Sequence, residues 1–311
     1  METTMTATAA AKLAPLSRNT KYTERARYFD SSNAFAIKYP AVPRQIFLGE
    51  RDHAFAPDTA TGLIDLDLSA VLELEYPATT PLILARYARI RAGESLSTAF
   101  CSSGEIYYVI QGHGRTVGPD DRIDWNEGDS IFLPGGQTWT HAAEADSVLW
   151  IVTNEPQMAF LGLESPPPGR RAGEPVQFLA EQIDAQLEIL HRNPGAEDTP
   201  GYAVVFSSES MEAKKNIHNT LTLAMNSLPA GQVQRPHHHN SVAVTLCVAS
   251  EGGYSIVAGE RIDWSPHAVF VTPPGEVHSH HNEGPVLAKY LIVQDGGIHY
   301  HCRTMGFTFD T

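Results

Sequence analysis

Gly231-Gln-Val-Gln-Arg235-Pro-His237-His238-His239 and, further on, Pro273-Pro-Gly275-Glu-Val-His278-Ser-His280-His281-Asn282 bound the stretch that decides how this chain reads. Taken together they are Gly, five residues, His-x-His, then Pro-x-Gly, two residues, His, three residues, Asn. Alternate side chains of a strand share a face, so His237 and His239 are expected to point inward and His238 outward. A turn built from Pro273 and Gly275 would bring His278 in from a second strand. Three imidazoles converging in this way suit a first-row transition metal at about 2.0–2.2 Å, with coordination positions left open. His280 is read as a hydrogen-bonding residue and His267 as a turn residue.

The same text occurs earlier in the chain. Arg122-Ile-Asp-Trp125 returns 139 positions later as Arg261-Ile-Asp-Trp264, and Pro134-Gly-Gly136 returns at the same offset as Pro273-Pro-Gly275. Gly93 and Gly231 are 138 apart, so one residue is gained between these landmarks. Repetition of this length implies a duplicated domain. On those offsets Ala99, Cys101 and Trp139 stand where the second copy has His237, His239 and His278, with Glu105 nearby and His141 matching His280. The first copy, Gly93 to Ala143, is therefore expected to hold a filled core and no metal.

Short apolar runs such as Ile106–Ile110, Ile131–Leu133 and Val148–Val152, each bounded by Gly, Pro, Asp or Asn, predict strands with a buried face. Twenty-four Gly and 21 Pro in 311 residues fit many short elements joined by turns. Both copies thus read as all-β, without the alternating helices that a parallel sheet needs. One helix is predicted between them, where Leu179, Ile183, Leu187 and Leu190 form an apolar stripe that Asn193-Pro-Gly195 ends. Pro166–Arg171 reads as linker and Thr23–Arg27 as one or two weak helical turns. The expected division is an N-terminal arm at 1–80, a degenerate domain at 81–157, a linker with one helix at 158–200 and a metal-binding domain at 201–311.

A formal charge of −14 argues against binding nucleic acid or an anionic membrane, both of which need a basic footprint. Three cysteines without paired spacing do not form a disulfide framework. A cytoplasmic setting is expected, with Met1–Leu16 a loose tail and not a signal peptide.

The two histidine motifs and their duplication resemble the conserved motifs of the cupin superfamily, over about residues 81–157 and 201–300. The resemblance implies two tandem jelly-roll (double-stranded β-helix) barrels, a bicupin. The usual cupin Glu ligand is missing, its place being taken by Ala243 or Val244. A three-His set without Glu resembles the gentisate 1,2-dioxygenase and salicylate-type ring-cleaving group. In those enzymes the metal sits in the N-terminal cupin, whereas here it must sit in the C-terminal one. The resemblance implies a non-haem Fe(II) dioxygenase using O2 on a small anionic hydroxylated aromatic acid. Homo-oligomer formation is also expected. Alternatives are another three-His oxygenase of the thiol or diketone type, or a non-redox isomerase, lyase or hydrolase using Mn, Ni or Zn.

The chemistry fits the residues on independent grounds. Three neutral histidines leave a divalent charge uncompensated and so favour an anionic chelator. Arg235, two residues before His237, is the candidate partner for a substrate carboxylate. Gln234, Thr245 and Tyr290 are candidate pocket residues.

Overall fold

The computed structural model describes residues 20–167, 170, 173–193 and 201–310. Met1–Leu16, half of the Pro166–Arg171 linker and the Pro194-Gly195 helix stop lie outside them. The chain divides into two units, residues 1–40 and 41–311. In the first, a 3-10 turn spans Thr23–Arg25, shorter than the predicted turns, and a one-turn helix spans Ser31–Ala34. Asp30 caps that turn by accepting the amide of Asn33 at 2.9 Å.

The second unit holds two antiparallel barrels, each a large sheet against a smaller one. In the first barrel the large sheet runs, in spatial order, Val176–Phe178, Ser130–Pro134, Gly104–Gln111, Ser147–Thr153, Leu84–Ile90 and Gly62–Asp65. The smaller sheet runs Ser95–Thr98, Trp139–Ala143, His113–Val117 and Arg122–Asn126. In the second barrel the large sheet runs Ile46–Phe47, Val269–Thr272, Ala243–Ala249, Ala288–Gln294, Thr222–Leu228 and Tyr202–Val205. Its smaller sheet runs Glu260–Asp263, Gly253–Val257, His278–Asn282, Val233–His239 and Phe307–Phe309. The all-β reading with minor helices holds, and the predicted helix spans Ala180–Arg192 with Ile183 and Leu187 buried.

Strand alternation explains how the barrels sit together. Ile106, Tyr108 and Ile110 face one way and join Trp150, Leu223, Val244 and Leu246 in a core shared by the two large sheets. Their neighbours Tyr107 and Val109 face the other way, into the first barrel with Ile131, Leu133, Leu149 and Ile151. Both faces of the central strands are therefore buried, which accounts for their continuous apolar runs. Ile46–Phe47 crosses to pair with Val269–Thr272 of the second barrel, while Gly62–Asp65 pairs with Leu84–Ile90 of the first. The segment ahead of the first barrel is thus strand material for both.

The two interiors differ in what fills them. The first carries twelve buried apolar residues, including Trp125 and Trp139. The second carries six, among them Cys247, Trp264 and Tyr290. Much of its remaining lining is histidine.

Candidate metal centre

His237 and His239 come from the strand Val233–His239, and His278 from the neighbouring strand His278–Asn282, with His237 directly opposite His278. All three are buried. Ring centroids lie 4.2 Å apart for His237 and His278, 4.8 Å for His239 and His278, and 6.1 Å for His237 and His239. His238 faces the other way and meets Asp310 at 2.8 Å.

Each of the three inward rings is oriented by the chain next to it. Nδ1 of His237 donates to the Arg235 carbonyl, that of His239 to the Ser241 carbonyl and that of His278 to the Glu276 carbonyl, each at 2.8 Å. A carbonyl oxygen only accepts, so Nδ1 must carry the proton and Nε2 is left bare. Burial keeps the rings neutral, lowering His237 below the usual range, His239 to about 4 and His278 to about 3. Neutral imidazoles with bare Nε2 atoms are the donor form a transition metal takes.

A fourth imidazole stands beside them. The ligand nitrogens of His237, His278 and His280 all lie within 4.8 Å of one another. His280 is held differently, because its Nδ1 meets Ser255 Oγ at 2.8 Å and Trp264 Nε1 donates to the same oxygen at 2.8 Å. The first barrel repeats this relay: Trp125 Nε1 donates to Thr116 Oγ1, which lies 2.8 Å from His141 Nδ1. There His141 Nε2 ends on Thr98 Oγ1 at 3.2 Å. The relay is common to both barrels and gives His280 a hydrogen bond of the kind expected for it. Ser255→Ala should cost about 1–2 kcal/mol by stranding the Trp264 N–H, and Ser255→Thr should cost little, both measurable by urea unfolding.

The strand register corrects the expected correspondence between the copies. Between Gln234 and His237 the pairing slips, so Arg235 and Pro236 together oppose Ser279. In the first barrel the pairing is regular, with Thr98 opposite Trp139. Thr98 and Phe100, not Ala99 and Cys101, therefore stand at the places of His237 and His239. Thr98 and Phe100 are buried, whereas Ala99 and Cys101 are exposed. The residue gained in the second copy is this bulge. Trp139 does take the place of His278, and Gly118 makes room for it, since a Cβ there would run into the indole ring. At the matching position Val257 faces the smaller His278.

Glu105 pairs with Leu133 as Ala243 pairs with Thr272, so Ala243 occupies the position of the missing carboxylate. Glu105 itself is fully buried, accepts from Tyr107 Oη at 2.6 Å, and is pushed up to about 8 by burial. Among the described residues it is not part of a cluster of three or more metal-ligating side chains.

The bulge removes the simple alternation that put Arg235 on the His237 face, and the exposed guanidinium lies 4.1 Å from the Phe309 ring centroid. Gln234 accepts from Tyr290 Oη at 2.9 Å, and Thr245 is buried. Asn282 donates to the carbonyls of Leu228 and Val286 at 2.8 Å each and ties off its strand. His267 adopts a left-handed turn conformation at φ 63°. Gln294, whose side-chain nitrogen lies 3.3 Å from His239 Nε2, was not foreseen. Neither was the strand Phe307–Phe309, although its Phe-x-Phe alternation after Gly306 is a usable signal.

Comparison with known proteins places this architecture. A salicylate 1,2-dioxygenase from Pseudaminobacter salicylatoxidans superposes with a TM-score of 0.72 at 16% identity, covering 88% of this chain and 89% of that one. A cupin 2 conserved barrel domain protein from Leptotrichia buccalis superposes with a TM-score of 0.51 at 11% identity, covering 83% and 97%. The fold is a bicupin. A 5-aminosalicylate 1,2-dioxygenase from a Comamonas species is 31% identical over 113 residues, which are 36% of this chain and 30% of that protein. A gentisate 1,2-dioxygenase from a Ralstonia species is 31% identical over 102 residues, or 33% and 26%. The chain thus aligns with less than a third of the length of either curated relative. No family model matches this bicupin.

Proposed function

We propose that the chain is a non-haem Fe(II) dioxygenase that cleaves the ring of a small hydroxylated aromatic carboxylic acid, with His237, His239 and His278 as metal ligands. The observation that carries this reading is the donor set: three imidazoles held as the Nε2-bare tautomer, with Ala243 where a carboxylate ligand would stand. His280 is left out because its relay to Ser255 and Trp264 has a counterpart in the barrel that lacks the other histidines. The relatives named as acting on 5-aminosalicylate and gentisate, and the salicylate dioxygenase of similar fold, support the same substrate class.

Iron bound here would supply a Lewis-acidic, redox-active centre at which an anionic chelator and dioxygen can meet. The chain's own part is positioning. The three Nδ1–H bonds to backbone carbonyls fix ring orientation, and the neutral ligand set leaves positive charge for a carboxylate and its ortho hydroxyl to offset. Burial excludes water from the ligand nitrogens. Arg235, exposed at the rim of the same strand, can meet the substrate carboxylate.

Iron-loaded protein is expected to take up oxygen with at least one of salicylate, gentisate, 5-aminosalicylate or a hydroxynaphthoate. Full turnover of any substrate under anaerobic conditions, or turnover only of aliphatic thiols or diketones, would rule the reading out. We place the working site in a domain at 201–311, behind an arm at 1–80, a metal-free domain at 81–157 and a linker at 158–200. We further propose a cytoplasmic homo-oligomer, which light scattering coupled to size exclusion would test.

A further inference from the structure

Among the described residues the strand Phe307–Phe309 has no counterpart in the first barrel, whose smaller sheet has four strands to the second's five. It pairs with the histidine strand in register, His237 with Phe309, His238 with Thr308 and His239 with Phe307. Residues directly opposite one another in an antiparallel pair project to the same face. Phe307 and Phe309 therefore project with His237 and His239, and Thr308 projects with His238. The Phe307 ring stacks on the His237 imidazole at 5.2 Å and 29°. Phe309 meets Phe307 edge-on at 5.0 Å and 87°, and carries the Arg235 guanidinium on its own face.

The strand is fastened on both sides of this aromatic pair. The Asp310 amide donates to the Pro236 carbonyl at 2.9 Å, and the Asp310 carboxylate meets His238 Nδ1 at 2.8 Å. Upstream, the Gly306 amide donates to Asn240 Oδ1 at 2.9 Å, and Asn240 Nδ2 donates to the Thr304 carbonyl at 2.6 Å. Held in this way, Phe307 remains 39% exposed beside histidines that are at most 7% exposed. An exposed aromatic face pinned next to a metal-ligand cluster, with an arginine stacked on the adjoining ring, is complementary to a flat anion. The ring can lie on the phenyl face, and the carboxylate can meet the cation.

We propose that Phe307 is the surface against which the substrate's aromatic ring lies, making this C-terminal strand a specificity element of the site. The inference rests on the function proposed above and adds a wall that the first barrel lacks among the described residues. With it, the site favours a benzenoid acid over an aliphatic anion of similar charge.

The test compares iron-loaded wild type with Phe307→Ala, Phe307→Leu and Phe307→Trp. Iron content per chain and anaerobic binding of gentisate and of oxalate are measured by titration calorimetry, alongside kcat and KM. Phe307→Ala is expected to keep iron at the wild-type ratio and to weaken gentisate binding and raise its KM at least tenfold. Its kcat should fall much less, and oxalate binding should change less than twofold. Phe307→Leu keeps apolar bulk without a π face and should remain impaired, whereas Phe307→Trp should recover. Gentisate binding within twofold of wild type in Phe307→Ala, or rescue by leucine as complete as by tryptophan, overturns the inference alone. Wild-type protein that holds iron but binds no aromatic acid overturns both the inference and the reading it rests on.

Discussion

His239→Ala is expected to leave the bicupin folded yet unable to retain iron, and to lose activity by more than the about 10–100-fold that loss of a hydrogen-bond partner to a ligand costs. The change removes one of three bare Nε2 donors and leaves two, too few to hold a divalent ion against water. Little else depends on that ring: its Nδ1–H bond goes to the Ser241 carbonyl, an acceptor within the same turn. The informative control is His280→Ala, because the ligand nitrogens of His237, His278 and His280 are mutually close. With His280 held in the relay that both barrels share, His280→Ala keeps one iron per chain and His239→Ala does not. Metal analysis of the two purified variants decides the matter, and the opposite pattern would move the third ligand from His239 to His280.

The two proposed ligand strands were legible because spacing maps directly onto geometry. His-x-His places two rings on one face of a strand, and the Pro-x-Gly turn sets where the third arrives. The duplication likewise pointed to a first barrel without this ligand set, since Trp139 stands where the second copy has His278. What spacing could not carry was a local change of period. The bulge at Arg235 and Pro236 shifts the correspondence by one residue, so the counterparts of His237 and His239 are Thr98 and Phe100. It also undoes the alternation that placed Arg235 with the ligands. Pairings between distant segments were equally silent: nothing local ties Ile46–Phe47 to the second barrel or Phe307–Phe309 to the histidine strand. Such contacts are chosen by tertiary packing and not by propensity.

Glu105→Gln is expected to stabilise the protein, and by more at high pH than at low. Glu105 holds the place that Ala243 takes in the second barrel, in the interior that Tyr107, Phe100 and Trp139 share, with the Arg86 cation favouring its charge and the Glu155 carboxylate opposing it. Its Oε1 and the nearby buried Ser102 Oγ both lack a hydrogen-bond partner among the described residues. Burial therefore outweighs the Tyr107 hydrogen bond and raises the carboxyl from 4.5 to about 8 in the folded state. The sign follows from proton counting. Between these two values the folded chain holds a proton that the unfolded chain has released, so stability falls as pH rises through that window and levels off above about 8. Below about 4.5 both states are protonated and the penalty vanishes. Each unit of separation corresponds to about 1.4 kcal/mol, against which the desolvation of a glutamine amide must be set. The gain from Glu105→Gln should then be about 4 kcal/mol larger at pH 8 than at pH 4.5, the glutamine amide lowering it equally at both. Glutamine keeps an oxygen for Tyr107 Oη and adds an N–H for Ser102 Oγ, so no new polar atom is stranded. Urea unfolding of wild type and variant across pH 4.5 to 8.5 measures the difference directly. A difference that stays flat with pH would mean that Glu105 is ionised in the folded barrel, with the Arg86 cation compensating it.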